Sequence, residues 1–166
     1  MTGLIDSGLI DSGKPPAAAV HDAALQRLHS AGQRYTKSRR QIIEALHREA
    51  DPQTIVELLK NAPGLAQSSA YRNLAVLEEA DVVHRIVTSE NHAHFELTED
   101  ITGSHHHHLV CTMCGTVLDI GLSEDLEQRL HDELAFVAGT RRFVGTHHRI
   151  DLIGLCAECS VEPAAD

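Results

Sequence analysis

All four cysteines of this 166-residue chain fall into two CxxC pairs, Cys111/Cys114 and Cys156/Cys159. Two such pairs, each on a tight turn after a strand, can set four thiolates tetrahedrally around Zn²⁺, and Gly115 directly after the first pair suits such a turn. Disulfides and a redox CxxC are the competing uses. A cytoplasmic chain disfavours the first, and the second would require separate roles for two pairs. A structural zinc of this kind contributes on the order of 10 to 16 kcal/mol, comparable to the whole stability of a domain.

Immediately before the first pair stands Gly103-Ser104-His105-His106-His107-His108. A histidine run in mid-chain, leading straight into Leu109 and Val110, is unlike a terminal purification tag. In an extended segment side chains alternate, so His105 and His107 face one way and His106 and His108 the other, each like pair roughly 6 to 7 Å apart. One strand can then serve two metal sites. The bland alternative is an exposed, structureless run. Further donors are within reach of either reading: His84, His92, His94 and Glu96 upstream, Glu127, His147 and His148 downstream. By period two, His92, His94 and Glu96 share one face.

These donors must be positioned by two different kinds of module. Residues 14 to 85 hold ten Lys/Arg against eight Asp/Glu, a balance of +2, whereas residues 99 to 166 hold four against twelve, a balance of −8. Basic side chains can face phosphates in the first, while acidic ones and histidines can bind cations in the second. There is no charged leader followed by an apolar run and no apolar stretch long enough to span a bilayer, which points to the cytoplasm and away from a membrane.

Residues 1 to 19, with a tandem LIDSG and then Lys-Pro-Pro, read as a flexible arm. From Val20 the period is helical, with Ala24, Leu25 and Leu28 on one face and Gly32 as a stop. A second helix is predicted over Lys37 to Arg48, capped by Thr36, with Ile42, Ile43 and Leu46 inward. Thr54 and Glu57 have the spacing of a capping box and open a short third helix that ends at Pro63-Gly64. Ser68 can cap a fourth, Ser69 to Ala80, with Ala70, Leu74 and Leu77 on a stripe. Val82 to Thr88 and His92 to Thr98 read as strands about a polar turn, Ser89 to Asn91.

Short helices followed by a two-stranded ribbon are the layout of a winged helix-turn-helix, whose last helix before the ribbon enters the major groove of DNA. That helix carries Tyr71 and Arg72 near its start, away from the aliphatic stripe. Arg34, Lys37, Arg39 and Arg40, at the second helix, can neutralise phosphates. The alternative is that these charges merely solvate a small helical bundle. Beyond residue 100, His108 to Cys111, Thr116 to Ile120 and Thr146 to Leu155 read as strands. Ser123 to Ala138 reads as an amphipathic helix bearing Leu126, Leu130, Leu134 and Val137. So small a module needs metal, a second copy, or both.

With TKSRRQIIEAL, SSAYRNLAVLEEADVV, HFEL, HHHHLVCTMCG and HHRIDLIGLCAEC in order from about residue 22 to 160, the chain resembles the ferric uptake regulator family of metal-dependent transcriptional repressors, which includes a zinc-sensing branch. The resemblance implies an α+β homodimer. Its parts would be an arm (1–19), a winged-helix DNA-binding domain (20–98), a hinge (99–103), a dimerisation module (104–160) and a tail (161–166). It also implies structural Zn²⁺ on Cys111, Cys114, Cys156 and Cys159. The regulatory metal maps onto Glu96, His106 and His108, with His84 as fourth ligand and His92, His94 or Asp51 as rivals. A second site maps onto His105, His107, His148 and Glu127, with Glu124 as a rival. Tyr71 and Arg72 match the family's base- and backbone-contacting pair, next to Ser68 and Ser69.

The chain departs from the family pattern in two places: SSAYRNL replaces the commoner TTVYR, and about three extra residues lie between Glu96 and the histidine run. With every cysteine committed to the structural zinc, the regulatory site has only His and carboxylate ligands, which suit Zn²⁺, Fe²⁺ and Ni²⁺ alike. The expected function is a metal-dependent repressor of metal-homeostasis genes, with Zn²⁺ or Fe²⁺ as corepressor on a double-stranded operator, and no enzyme activity. The rivals are a metal store or chaperone that does not bind DNA, and a small zinc hydrolase with Glu96 or Glu127 as base.

Overall fold

The computed structural model describes residues 14–88 and 93–161. The LIDSG repeat, the turn at 89–91, His92 and residues 162–166 lie outside them. The first helix, α1 (Ala17–Ser30), begins three residues before the predicted start, since Ala17, Ala18 and Ala19 are strong helix formers behind Pro16. The segment read as arm is therefore partly structured. Lys14 donates to the carbonyls of His47 and Arg48, the open C-terminal end of the next helix. Val20, Ala24 and Leu28 are buried, but Leu25, expected inward, faces solvent.

Helix α2 (Lys37–Arg48) is capped as expected: the Arg39 N–H donates to the Thr36 hydroxyl. Thr54 and Glu57 form the full capping box that starts α3 (Ile55–Asn61). Helix α4 (Gln67–Glu79) starts earlier than predicted, with Ala66 at the cap position, so Ser68 and Ser69 lie in its first turn. Ala70, Leu74 and Leu77 point inward on its buried stripe. The predicted ribbon is β2 (Val83–Val87) paired antiparallel with β3 (Ala93–Leu97), and a two-residue strand, β1 (Gln53–Thr54), adds to the far side of β3. One apolar cluster runs from Val20 to Ile101 through the four helices, β2 and β3.

A four-residue helix, α5 (Glu99–Thr102), ends on Gly103, whose positive φ turns the chain into β4 (His107–Cys111). Strand β5 (Val117–Ile120) pairs antiparallel with β4 on one side. Helix α6 (Glu124–Thr140), capped by Ser123, crosses over to β6 (Asp151–Gly154), which pairs parallel with β4 on the other side. The last strand is shorter than expected, because residues 143–150 form no ladder and only Asp151–Gly154 match β4 in register. A final turn of helix, α7 (Ala157–Ser160), follows. No helix among the described residues is long and apolar enough to cross a membrane.

Candidate metal centres and DNA-binding face

Parallel pairing of β4 with β6 sets Cys111 opposite Gly154, which brings the two CxxC turns together. Gly115, at φ +75°, closes the first turn by donating its N–H to the Cys111 carbonyl. Cys156 caps α7, so Cys159 returns one turn later on the same side. The four sulfurs all lie within 4.8 Å of one another and none is in a disulfide. Cys114 and Cys156 stand 3.7 Å apart. Tetrahedral Zn²⁺ with bonds of about 2.3 Å needs a sulfur separation of about 3.8 Å. Backbone N–H groups of Cys114 and Cys156 pull the Cys111 thiol below its ordinary value. Neighbouring sulfurs, Cys156 first, push Cys159 up. Gathering four thiolates is thus self-limiting without a cation, and a dication resolves the conflict.

The histidine run alternates as expected. His106 and His108 face the ribbon, where Glu96 Oε2 lies 3.1 Å from Nε2 of each. Asp119 joins them, its oxygens 3.8 Å from His106 and 3.7 Å from His108. These four groups all lie within 4.8 Å of one another, and about 3.3 Å would separate tetrahedral ligands at bonds of about 2.0 Å. Burial would raise the Glu96 carboxyl, but hydrogen bonds from His106 and His108 outweigh it and hold it at about 2. The bond to Glu96 raises His106 to about 9 and, against burial, raises His108. Burial pushes Asp119 up to about 6. A cation taking these ligands would displace the proton that Glu96 favours on His106.

The fourth position differs from expectation. His84 is paired with Glu96 across the ribbon and lines the same cavity of about 250 Å³, yet its Nε2 accepts from the Arg149 guanidinium and stays outside the ligand group. Asp119 stands there instead, because β5 pairs it directly with His108. Period-two reading of β5 against the histidine run would have found it. Of the rivals, Asp51 accepts the Asp119 backbone N–H, and buried His94 lies in a separate cavity with Glu57 and Cys114. Behind His108, Nδ1 faces Asp151 at 3.3 Å, and Arg149 holds Asp151 in turn.

On the opposite face of β4, His105 and His107 meet Glu127 from the start of α6 and His148 from the segment before β6. His107 Nε2 is 2.8 Å from Glu127 Oε1, and His105 Nε2 is 3.1 Å from His148 Nε2. Glu127 rather than Glu124 enters this group. Asp119 Oδ1 and Glu127 Oε2, one in each His/carboxylate group, are buried and make no hydrogen bond among the described residues. Buried carboxylate oxygens without donors are what a cation satisfies.

On the N-terminal half, Tyr71 is exposed at 50%, and Arg72, Ser68, Lys37 and Arg40 are exposed beside it on α4 and α2. Arg72 is steadied by the Ser68 carbonyl, and Ser69 accepts from Asn73. Arg40 pairs with Glu44. Arg39, expected on phosphate, is buried: it donates to Asn73 Oδ1, to Gln33 Oε1 and to the Arg34 carbonyl. It ties α2 to α4 instead, a use that helical periodicity alone did not distinguish from exposure.

A winged helix whose ribbon carboxylate is shared with histidines of a second module is the build of a metal-dependent DNA-binding repressor. A family model described as "Ferric uptake regulator family" matches residues 30–153, and the chain belongs to that family. It is 30% identical over 144 residues to the peroxide operon regulator of Bacillus subtilis, covering 82% of this chain and 91% of that one. The ferric uptake regulation protein of Legionella pneumophila is 30% identical over 139 residues, covering 81% and 96%. Among solved structures, the Vibrio cholerae ferric uptake regulator is 30% identical with a TM-score of 0.61, over 80% of this chain and 98% of that one. The Helicobacter pylori regulator, at 19% identity and TM-score 0.67, shares the fold over 90% and 97%. Members of the family are transcription regulators, not enzymes.

Proposed function

We propose that this repressor works as a cytoplasmic homodimer that holds structural Zn²⁺ on Cys111, Cys114, Cys156 and Cys159. A second divalent metal, Zn²⁺ or Fe²⁺, acts as corepressor on Glu96, His106, His108 and Asp119, with His84 beside it. The one observation that carries this reading is Glu96. It sits on the DNA-binding half and touches two histidines of the other half at 3.1 Å. The metal supplies a positive charge that these groups share. Glu96 anchors the ribbon to it, His106 and His108 anchor β4, and Asp119 anchors β5.

Tying the ribbon to β4 favours one orientation of α4 relative to the dimer module. In that orientation, Tyr71, Arg72, Ser68, Ser69, Lys37 and Arg40 of two protomers meet successive major grooves of a double-stranded operator. Moving the population from mostly incompetent to mostly competent takes roughly 5.5 kcal/mol of differential binding, within reach of four ligands divided between two halves. Dimerisation is supported by α6, which has no buried residue and exposes Leu126, Leu134, Phe136 and Val137. All-nitrogen-and-oxygen ligation leaves the zinc-sensing and iron-sensing branches both compatible.

The test is operator binding by protein that keeps its cysteine-bound zinc, titrated separately with buffered Zn²⁺, Fe²⁺ and Mn²⁺. Affinity should rise at least tenfold with the cognate metal and stay flat in Glu96→Ala. Metal-indifferent operator binding by the parent protein would sink the corepressor reading. A store that does not bind DNA predicts no effect of Tyr71→Ala or Arg72→Ala on any operator.

A further inference from the structure

Eight residues, 97–104, form the segment between Glu96 and the histidine run. In this chain it folds as α5, and two acidic side chains of that turn point in different directions. Asp100 pairs with Arg27 of α1, which also holds Asp81 through its other nitrogen at 2.8 Å. Glu99 reaches the other way, its Oε1 2.8 Å from His105 Nδ1. Glu99 also lines the cavities on both sides of β4, so it forms part of the wall between the two His/carboxylate groups.

His105 has one nitrogen left for a metal. With Nδ1 in ion-pair contact with Glu99, Nε2 lies 3.1 and 3.6 Å from His148 and Glu127. A carboxylate behind a ligand imidazole fixes its tautomer, fixes its ring plane and makes it a better donor. Here that carboxylate comes from the connector between the two halves of the chain. The contrast with His107 is informative, because its Nδ1 is buried without any hydrogen-bond partner among the described residues.

We propose that Glu99 is a positioning residue for the metal site formed by His105, His107, Glu127 and His148, and that through it occupancy of this site ties the histidine strand to the connector helix α5 and so to the DNA-binding half. The proposal rests on the reading that those four residues bind a metal. A metal at Nε2 would polarise the ring, strengthen its ion-pair contact with Glu99 and so tie β4 to α5, which Ile101 packs onto the DNA-binding half. The Asp100–Arg27 pair passes that restraint to α1 and, through Asp81, to the turn between α4 and β2.

The experiment is a Co²⁺ and Zn²⁺ competition titration of the full chain with its cysteine-bound zinc in place, read together with operator affinity. The parent should take two exchangeable metals per protomer, and His107→Ala one. Removing such a carboxylate weakens metal binding by about 10- to 100-fold. Both partners are about a third exposed, at 31% and 36%, so the lower end is expected. Glu99→Gln should weaken the His105 site about tenfold and leave the Glu96 site within about twofold. Asp100→Asn should leave both metal affinities unchanged but reduce the gain in operator affinity on filling the His105 site, since Ile101 still packs α5 on α1. Two metals bound with unchanged affinities in Glu99→Gln would overturn the positioning role. A gain undiminished in Asp100→Asn would overturn the part given to the Arg27 pair. A single exchangeable metal in the parent would overturn the site reading and the proposal with it.

Discussion

Between Val20 and Ile101 the chain buries one continuous, mainly aliphatic cluster, to which no described residue beyond Ile101 contributes. The second half keeps Cys111, Val117, His107 and His108 buried, while Leu152 and Ile153 of β6 are about two-thirds exposed. Both halves contain helices and a three-stranded sheet, so secondary structure does not distinguish them. What distinguishes them is the source of cohesion. The first half is held by apolar packing among its own side chains, whereas the second has mostly histidine, carboxylate and thiol side chains at its centre and its apolar side chains outside. If the proposed metals bind there, the second half would respond to cations in a way the first cannot.

The largest effect that can break this contrast is removal of the cysteine-bound metal. Chelation, or Cys156→Ser, should strip exchange protection from amides of residues 107–160, a loss on the order of 10 kcal/mol in that half. Amides of α1, α2 and α4 should stay protected. Simultaneous loss of protection in both halves, read by hydrogen exchange with mass spectrometry, would contradict it.

Next in size is a pair of matched truncations. Leu74→Ala, in the cluster at 1% exposure, should cost about 2 to 5 kcal/mol in denaturant unfolding. Leu134→Ala, at 41% exposure on α6, should cost roughly 0.5 kcal/mol or less within the protomer and act on self-association instead. Sedimentation measurements beside the unfolding curves separate the two, and equal protomer destabilisation would remove the distinction.

The smallest effect is on pH. His106 is raised from 6.5 to about 9 by its bond to Glu96, so near neutrality an entering cation must expel that proton. Metal affinity at the Glu96 site should therefore rise with pH, by about tenfold per unit from His106 alone, and level off above about 9. The His106–Glu96 contribution to metal-free stability has the opposite sense on the alkaline side: fully present between about 4.5 and 6.5, it is lost as pH rises through about 9, and on the acid side as pH falls through about 2 and Glu96 is protonated. Calorimetric proton release in buffers of different ionisation enthalpy measures the first, and an affinity independent of pH over this range would exclude the exchange.

Much of this was legible in the residues themselves. Apolar periodicity located α2 and α4, the Thr54/Glu57 spacing located α3, and the alternation of His105 to His108 correctly divided them between two faces. What the sequence did not reveal depends on contacts between distant segments. Asp119 becomes a candidate ligand only through the register of β5 on β4, and Arg39 is withdrawn from the surface only because Asn73 and Gln33 receive it. The exposure of α6 is likewise invisible to a helical pattern, which reports that a face must be covered without saying by what. The two-residue β1 is too short to carry any period, and it exists because β3 offers it an edge.

The register of β4 has a further consequence for how such a protein tolerates change. Each histidine is addressed to its face by odd or even position, counted from Cys111, which is anchored in its knuckle. Inserting one residue between His108 and Cys111 would exchange the two sets of imidazoles between Glu96 and Glu127, whereas an insertion before His105 would leave the addressing intact. Length variation can therefore accumulate in the connector and not in the strand, and the segment from Leu97 to Ser104, which carries α5, lies on the permitted side of that boundary.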